Sequence, residues 1–144
     1  MNLNPFEAIK SVDIERKEST WDYDYSDLVK SISEKVNWTV EAGFNDYQGD
    51  FFFLGEDSEN NIYFLPFGYG SCSGCDALQG CDSYEEIVEL RDDLKRNVRQ
   101  FKDINDFVTW FNGQGRFEWW SREDIEDFIG QVKQKYEVQL EWQR

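Results

Sequence analysis

An α+β fold is predicted: a three-stranded, or slightly larger, antiparallel β-meander packed against C-terminal helices. Three observations carry the prediction. Apolar residues alternate or run together over strand lengths in the middle of the chain. They recur at helical spacing after Ser or Asp caps in the C-terminal part. The 144 residues are 40% hydrophobic and 17% aromatic, enough for one folded domain over 1–144. No repeat or low-complexity tract divides it.

From the N-terminus, Asn4-Pro5 ahead of Phe6 and Ile9 opens a short helix with Pro at its first position. Trp21–Tyr25 alternates aromatic and acidic residues, as a short strand or ordered loop does. Ser26 then reads as an N-cap, with Asp27 in the first turn of a helix running to Lys35. Trp38, Val40, Ala42 and Phe44 alternate with Thr39, Glu41 and Gly43, so Asn37–Phe44 is a half-buried strand with Val40 and Phe44 on one face. Phe51–Leu54 and Ile62–Phe67 are further strands, set off by the turns Asn45–Asp50 and Glu56–Asn61. Pro66 lacks an N–H and belongs at a strand end or an open edge. Gly68, Gly70 and Gly74 make the next turn possible, at least one with positive φ.

A meander with one apolar face needs helices to cover it. Ser83-Tyr-Glu-Glu86 is a capping-box pattern ahead of Ile87, Leu90 and Leu94, which gives a helix over Ser83–Arg96. Val98–Phe101 is a short edge strand. Asp103 caps Ile104–Asn112, which Gly113 stops, and Ser121 opens Arg122–Tyr136. One core is expected, shared by Trp38, Val40, Phe52, Phe64, Ile87, Leu90, Phe107, Phe111, Ile125 and Phe128.

Composition excludes several functions. With 15 Lys plus Arg against 30 Asp plus Glu, the net charge is -15, which repels phosphate and disfavours nucleic acid or an anionic membrane. The chain has no His, which removes Ser-His-Asp and Cys-His catalysis and any His-ligated metal. No apolar run reaches spanning length and Met1–Lys10 lacks a signal-peptide core, so the expected location is cytoplasmic.

The three cysteines sit together. Cys72 and Cys75 have C-x-x-C spacing, and Cys81 follows. Two thiolates so spaced can share a tetrahedral zinc, with Cys81 third and Asp76, Asp82 or water fourth. A thioredoxin-like pair needs its first cysteine at a helix N-terminus, which several loop residues here prevent. The plainer reading is a tight glycine loop over small buried thiols, reduced and metal-free. The stretch Phe67-Gly-Tyr-Gly-Ser-Cys-Ser-Gly-Cys-Asp76, with Asp46-Tyr-Gln-Gly-Asp50 ahead of it, resembles small uncharacterised proteins of bacteria and their phages. The resemblance spans Trp38 to Glu86. It implies a regulator encoded by a phage or mobile element, and no catalytic residue.

Charge is unevenly placed. Between Lys35 and Arg91 there is no Lys or Arg, while Glu41, Asp46, Asp50, Glu56, Asp57, Glu59, Asp76, Asp82, Glu85, Glu86 and Glu89 all fall there. Such a block either keeps a protein soluble or docks on a basic partner. The expected function is therefore a non-enzymatic binding protein, of inhibitor or immunity type. Its expected target is a basic protein (nucleic-acid-binding, a nuclease or a toxin) contacted through Asp46, Asp50, Glu56, Asp57 and Glu59. The alternative is a small zinc-binding or thiol-redox module at Cys72, Cys75 and Cys81. Calcium at Asp22, Asp24 and Asp27, or at Asp57, Glu59 and Asn61, matches no calcium-loop pattern. A pair of catalytic carboxylates is not identifiable among so many acids. Trp110, Phe111 and Phe117–Trp120 fit a core better than a ligand groove.

Overall fold

The computed structural model describes residues 9–43, 49–70, 76–113 and 121–141. Four strands, β1 (Asn37–Ala42), β2 (Gly49–Glu56), β3 (Ile62–Tyr69) and β4 (Arg99–Phe101), form one antiparallel sheet in the order β1-β2-β3-β4. Among the described residues four α-helices accompany it: α1 (Tyr25–Lys30), α2 (Tyr84–Arg96), α3 (Ile104–Gly113) and α4 (Arg122–Tyr136). The protein is thus α+β, with a fourth strand added at the β3 side of the predicted meander. No helix among the described residues is long and apolar enough to cross a membrane.

The sheet is covered on both faces, where one was expected. Phe51, Phe53, Tyr63 and Leu65 pack with Leu28 and Val29 of α1 and Ile87 and Leu94 of α2. Their neighbours Phe52, Leu54, Ile62 and Phe64 pack with Phe107 and Phe111 of α3 and Ile125 and Phe128 of α4. Successive strand side chains point to opposite faces, so the Phe-Phe-Phe-Leu run of β2 fills two cores at once. Ile87 and Leu90 therefore lie across the sheet from the α3 and α4 residues predicted to share their core.

A second correction lies in β1. Trp38 opposes Gly55 and Val40 opposes Leu54, so Thr39 is an extra residue and the strand bulges there. Trp38 packs with the first cluster, whereas Val40 and Ala42 belong to the second. The simple alternation breaks at that point; Phe44 lies outside the described residues. Gly55 makes room for the turned indole, because a Cβ there would sit 2.9 Å from Trp38 Cε3 and 2.6 Å from Val36 Cγ1.

The helix predicted from Ser26 starts instead at Tyr25, under Asp24, and stops at Lys30. The Asp24 carboxylate accepts the Asp27 N–H at 2.8 Å, and the Asp27 carboxylate accepts the Asp24 N–H at 3.1 Å. This reciprocal pair satisfies two orphan donors, which one Ser hydroxyl cannot do. Ser26 donates to the Glu41 carboxylate at 2.7 Å instead. Trp21 sits in a 3₁₀ turn, Thr20–Asp22, and the helix predicted at Asn4-Pro5 lies outside the described residues. By contrast α2 and α4 keep their predicted extents, with Ser83 accepting the Glu86 N–H at 3.2 Å and Glu137 closing α4 at φ 54°.

Two backbone expectations also meet the structure. Pro66 stands in β3 opposite Phe52, and among the described residues β4 reaches only to the Phe64 position, so Pro66 lies beyond the part of β3 that is paired on both sides. Gly68 lies inside β3 without a positive φ; among the described residues the positive φ falls at Gly43 instead, at 100°. Gly74 lies outside the described residues.

Candidate functional site

The acids chosen from sequence fall at opposite ends of the sheet. Asp50 is at the start of β2, while Glu56, Asp57 and Glu59 are at its far end and in the β2–β3 turn. At roughly 3.3 Å per residue, about 20 Å of strand separates Asp50 from Glu56. Asp46 lies outside the described residues.

Asp57 builds its turn from within. Its Oδ1 accepts the N–H groups of Glu59 at 2.9 Å and Asn61 at 3.0 Å, and its Oδ2 accepts from Asn61 Nδ2 at 2.9 Å and the Tyr63 hydroxyl at 2.8 Å. Backbone bonds from Asp57 N–H to Asn61 O and from Asn60 N–H to Asp57 O close the loop, with Asn60 at φ 68°. Burial pushes the Asp57 pKa up, but hydrogen bonds from Asn61, Tyr63 and Glu59 outweigh it and hold the carboxyl below the usual range. Both Asp57 oxygens suggested for calcium are thus already engaged with protein donors. Glu59 is exposed at the tip beside Ser58 and Asn60, and Glu56 is half-buried at the end of the strand.

Asp50 has a different task. Its Oδ2 accepts the Ser121 N–H at 2.6 Å, and its own N–H donates to Asp124 Oδ2 at 2.8 Å. The two carboxylates tie the start of β2 to the start of α4. Burial raises the Asp50 pKa and the Asp124 charge adds to this, against the Ser121 hydrogen bond. Asp124 is 2% exposed, and Gly49 leaves it room, since a Cβ at 49 would strike its carboxylate. The Asp50–Asp124 pair brings two carboxylates together, as Asp24 and Asp27 do in the α1 cap. Its described bonds run to backbone N–H groups, which makes it a clamp between elements.

Space also breaks up the anionic block. The sheet gains β4 from beyond Arg91, which brings Arg99 in register with Phe64 and puts Arg96 and Lys102 at the flanks. Lys35 borders the same shallow cleft as Asp57 and Glu59. Two other cations serve backbone oxygens: the buried Arg91 donates to Val12 O at 2.8 Å and Ser31 O at 3.2 Å, and Lys95 donates to Ile9 O. They fasten the N-terminal segment onto α2.

At the cysteine segment, Cys72 and Cys75 lie outside the described residues. Cys81 belongs to the first core cluster, and its thiol donates to Ala77 O at 3.3 Å. Burial, then the charges of Glu86, Asp76, Asp82 and Glu89, push its pKa up, which disfavours the thiolate that zinc or redox chemistry needs. Asp76, overlooked as a structural residue by sequence reasoning, is buried and holds this region. Its Oδ1 accepts from the Tyr25 hydroxyl at 2.7 Å and Gly70 N–H at 3.1 Å, and its Oδ2 accepts the Gln79 N–H at 2.9 Å. Among the described residues no group of three or more Cys, Asp or Glu converges on a metal-sized site. Trp110 and Phe111 pack in the second cluster, as a core role requires, while Phe117–Trp120 lie outside the described residues. No family model, curated protein or solved structure matches the chain.

Proposed function

We propose that this is a non-enzymatic binding protein of inhibitor or immunity type, which docks an acidic protrusion on a basic protein such as a nuclease, a toxin or a nucleic-acid-binding protein. One observation carries the reading. The β2–β3 turn is stiffened by four hydrogen bonds to the Asp57 carboxylate, yet its tip at Ser58, Glu59 and Asn60 is exposed. A turn ordered before binding loses little entropy on binding, and its charge speeds encounter with an oppositely charged surface. Glu56 and Glu59 are the contact acids in this reading. Asp57 positions them, and Asp50 serves the fold.

The test is retention of basic proteins from a host lysate on immobilised protein at low and high salt. Glu56→Lys with Glu59→Lys should abolish retention at low salt while the circular dichroism spectrum stays unchanged. Failure to retain any basic protein at low salt, or equal retention by the double variant, defeats the proposal.

A further inference from the structure

β4 is the outer strand of the sheet, and among the described residues nothing pairs with its free edge. Beside it runs a cleft of about 620 Å3 bordered by Asn61, Arg96, Asn97, Arg99, Gln100 and Lys102. Arg99, Gln100 and Lys102 are exposed. The Arg99 guanidinium is held 4.9 Å above the Trp110 ring, and Arg96 is paired with Asp93. Neither Arg99 nor Lys102 has a carboxylate within ion-pair distance among the described residues. In a chain with 30 acids and 15 bases, two neighbouring cations thus stand, among the described residues, without a carboxylate partner beside an unpaired strand edge.

We infer that this edge takes an extended acidic segment of a partner protein, which adds to the sheet as a fifth strand beside β4. The outward N–H and C=O groups of β4 supply main-chain hydrogen bonds, and Arg99 and Lys102 supply charge-assisted ones to carboxylates on the incoming strand. Charge also decides against the other occupants. A second copy pairing antiparallel through its own β4 would set Arg99 and Lys102 against their counterparts, and like charges across strands are destabilising. A nucleic acid, charged at every phosphate, would meet far more of the repulsion of a chain at net charge -15 than a short segment carrying a few carboxylates. The inference calls for a partner of opposite charge to the one the acidic turn would take, although Asn61 of that turn borders this cleft and Gln100 shares a neighbouring one with Asp57 and Glu59.

The experiment is a titration of isotope-labelled full-length protein followed by backbone amide shifts. Three capped peptides of about eight residues are compared: alternating Val and Glu, alternating Val and Lys, and the Val-Glu peptide N-methylated at every second amide. The Val-Glu peptide should shift amides over 98–102 and 62–64 and bind about tenfold or more tighter than each of the others. Arg99→Glu with Lys102→Glu should abolish those shifts, and Glu59→Lys, at a residue that shares a cleft with Gln100, should not weaken them even if the proposed function fails. Should the double reversal disturb the spectrum at large, Arg99→Gln with Lys102→Gln replaces it and should weaken binding in the same direction. Equal binding of the Val-Lys peptide, indifference to N-methylation, or shifts confined to other elements overturns the inference. So does peptide-free, concentration-dependent broadening at β4, which would mean that a second copy is the occupant.

Discussion

The two edges of the sheet are finished in opposite ways. Along β1, α4 supplies the caps: Asp127 Oδ2 accepts the Gly43 N–H at 3.2 Å, Gln131 Nε2 donates to Glu41 O at 3.2 Å, and the Thr39 and Tyr136 hydroxyls share a hydrogen bond at 2.7 Å. A bulge at Thr39 distorts the strand further. Along β4 no described element intervenes, and the strand is short, with Arg99 in it and Lys102 beside it lacking a carboxylate partner among the described residues. Both are known ways of preventing edge-to-edge aggregation, but only the second leaves backbone that a selected partner can reach. One edge is structure; the other is surface.

If that contrast is right, substitutions at the covered edge should damage folding and those at the open edge should not. The largest effect is expected at Gly43→Val. Its φ of 100° is strained for a side chain, and the new Cβ would collide with the Asp50 carbonyl oxygen. Backbone strain of that kind together with a steric clash costs about 3 kcal/mol or more, read as a fall in the urea midpoint. A loss below about 1 kcal/mol would show that the backbone at the β1 exit relaxes to admit a side chain.

Next in size comes the pH dependence of the two half-buried carboxylates at the ends of β2, Asp50 and Asp57. Asp57 has a lowered folded pKa, so its contribution is present above the unfolded value and is lost as pH falls through the folded one. Asp57→Asn should therefore destabilise at neutral pH and approach wild type in acid. Asp50 has a raised folded pKa, so the folded state binds the extra proton and stability is lost as pH rises from the unfolded to the folded value. Relative to wild type, Asp50→Asn should gain over that same rise. Urea melts across the carboxylate range check both, and parallel profiles for the two variants would remove the distinction between turn holder and clamp.

Much of this arrangement was legible in the chain itself. α4 could be read because Ile125, Phe128 and Val132 keep helical spacing between a Ser and a basic last turn. The second sheet face was signalled by Phe51–Leu54, an apolar run too continuous for a strand with one wet side. The start of α1 was harder: Asp24 and Ser26 are both good caps, and the choice lies with the reciprocal bonds between Asp24 and Asp27. The Thr39 bulge leaves no mark on the alternation, since it depends on how Gly55 and Val36 receive Trp38. The anionic block misled most. It was continuous along the chain, but pairing β4 onto β3 inserts cations from beyond it, and Asp50 and Asp57 are drawn into backbone hydrogen bonds. Local charge is readable from sequence only where the neighbours across the sheet are known.

The smallest thermodynamic effect belongs to the open edge, and it discriminates best. Arg99→Val with Lys102→Val removes two exposed cations and a stacking contact with Trp110, which together cost about 1 kcal/mol at most. Association should change far more than stability. With the charges gone, a β4 edge lined by β-branched side chains no longer repels its own copy, and antiparallel pairing through residues 99–101 becomes favourable at high concentration. Sedimentation at increasing loading should then show self-association in the double Val variant beyond that of wild type, while Arg99→Lys, which keeps the charge, should match wild type. If the Val variant stays as monodisperse as wild type at every loading, Arg99 and Lys102 do not guard this edge, and the difference between the two edges rests on the length of β4 alone.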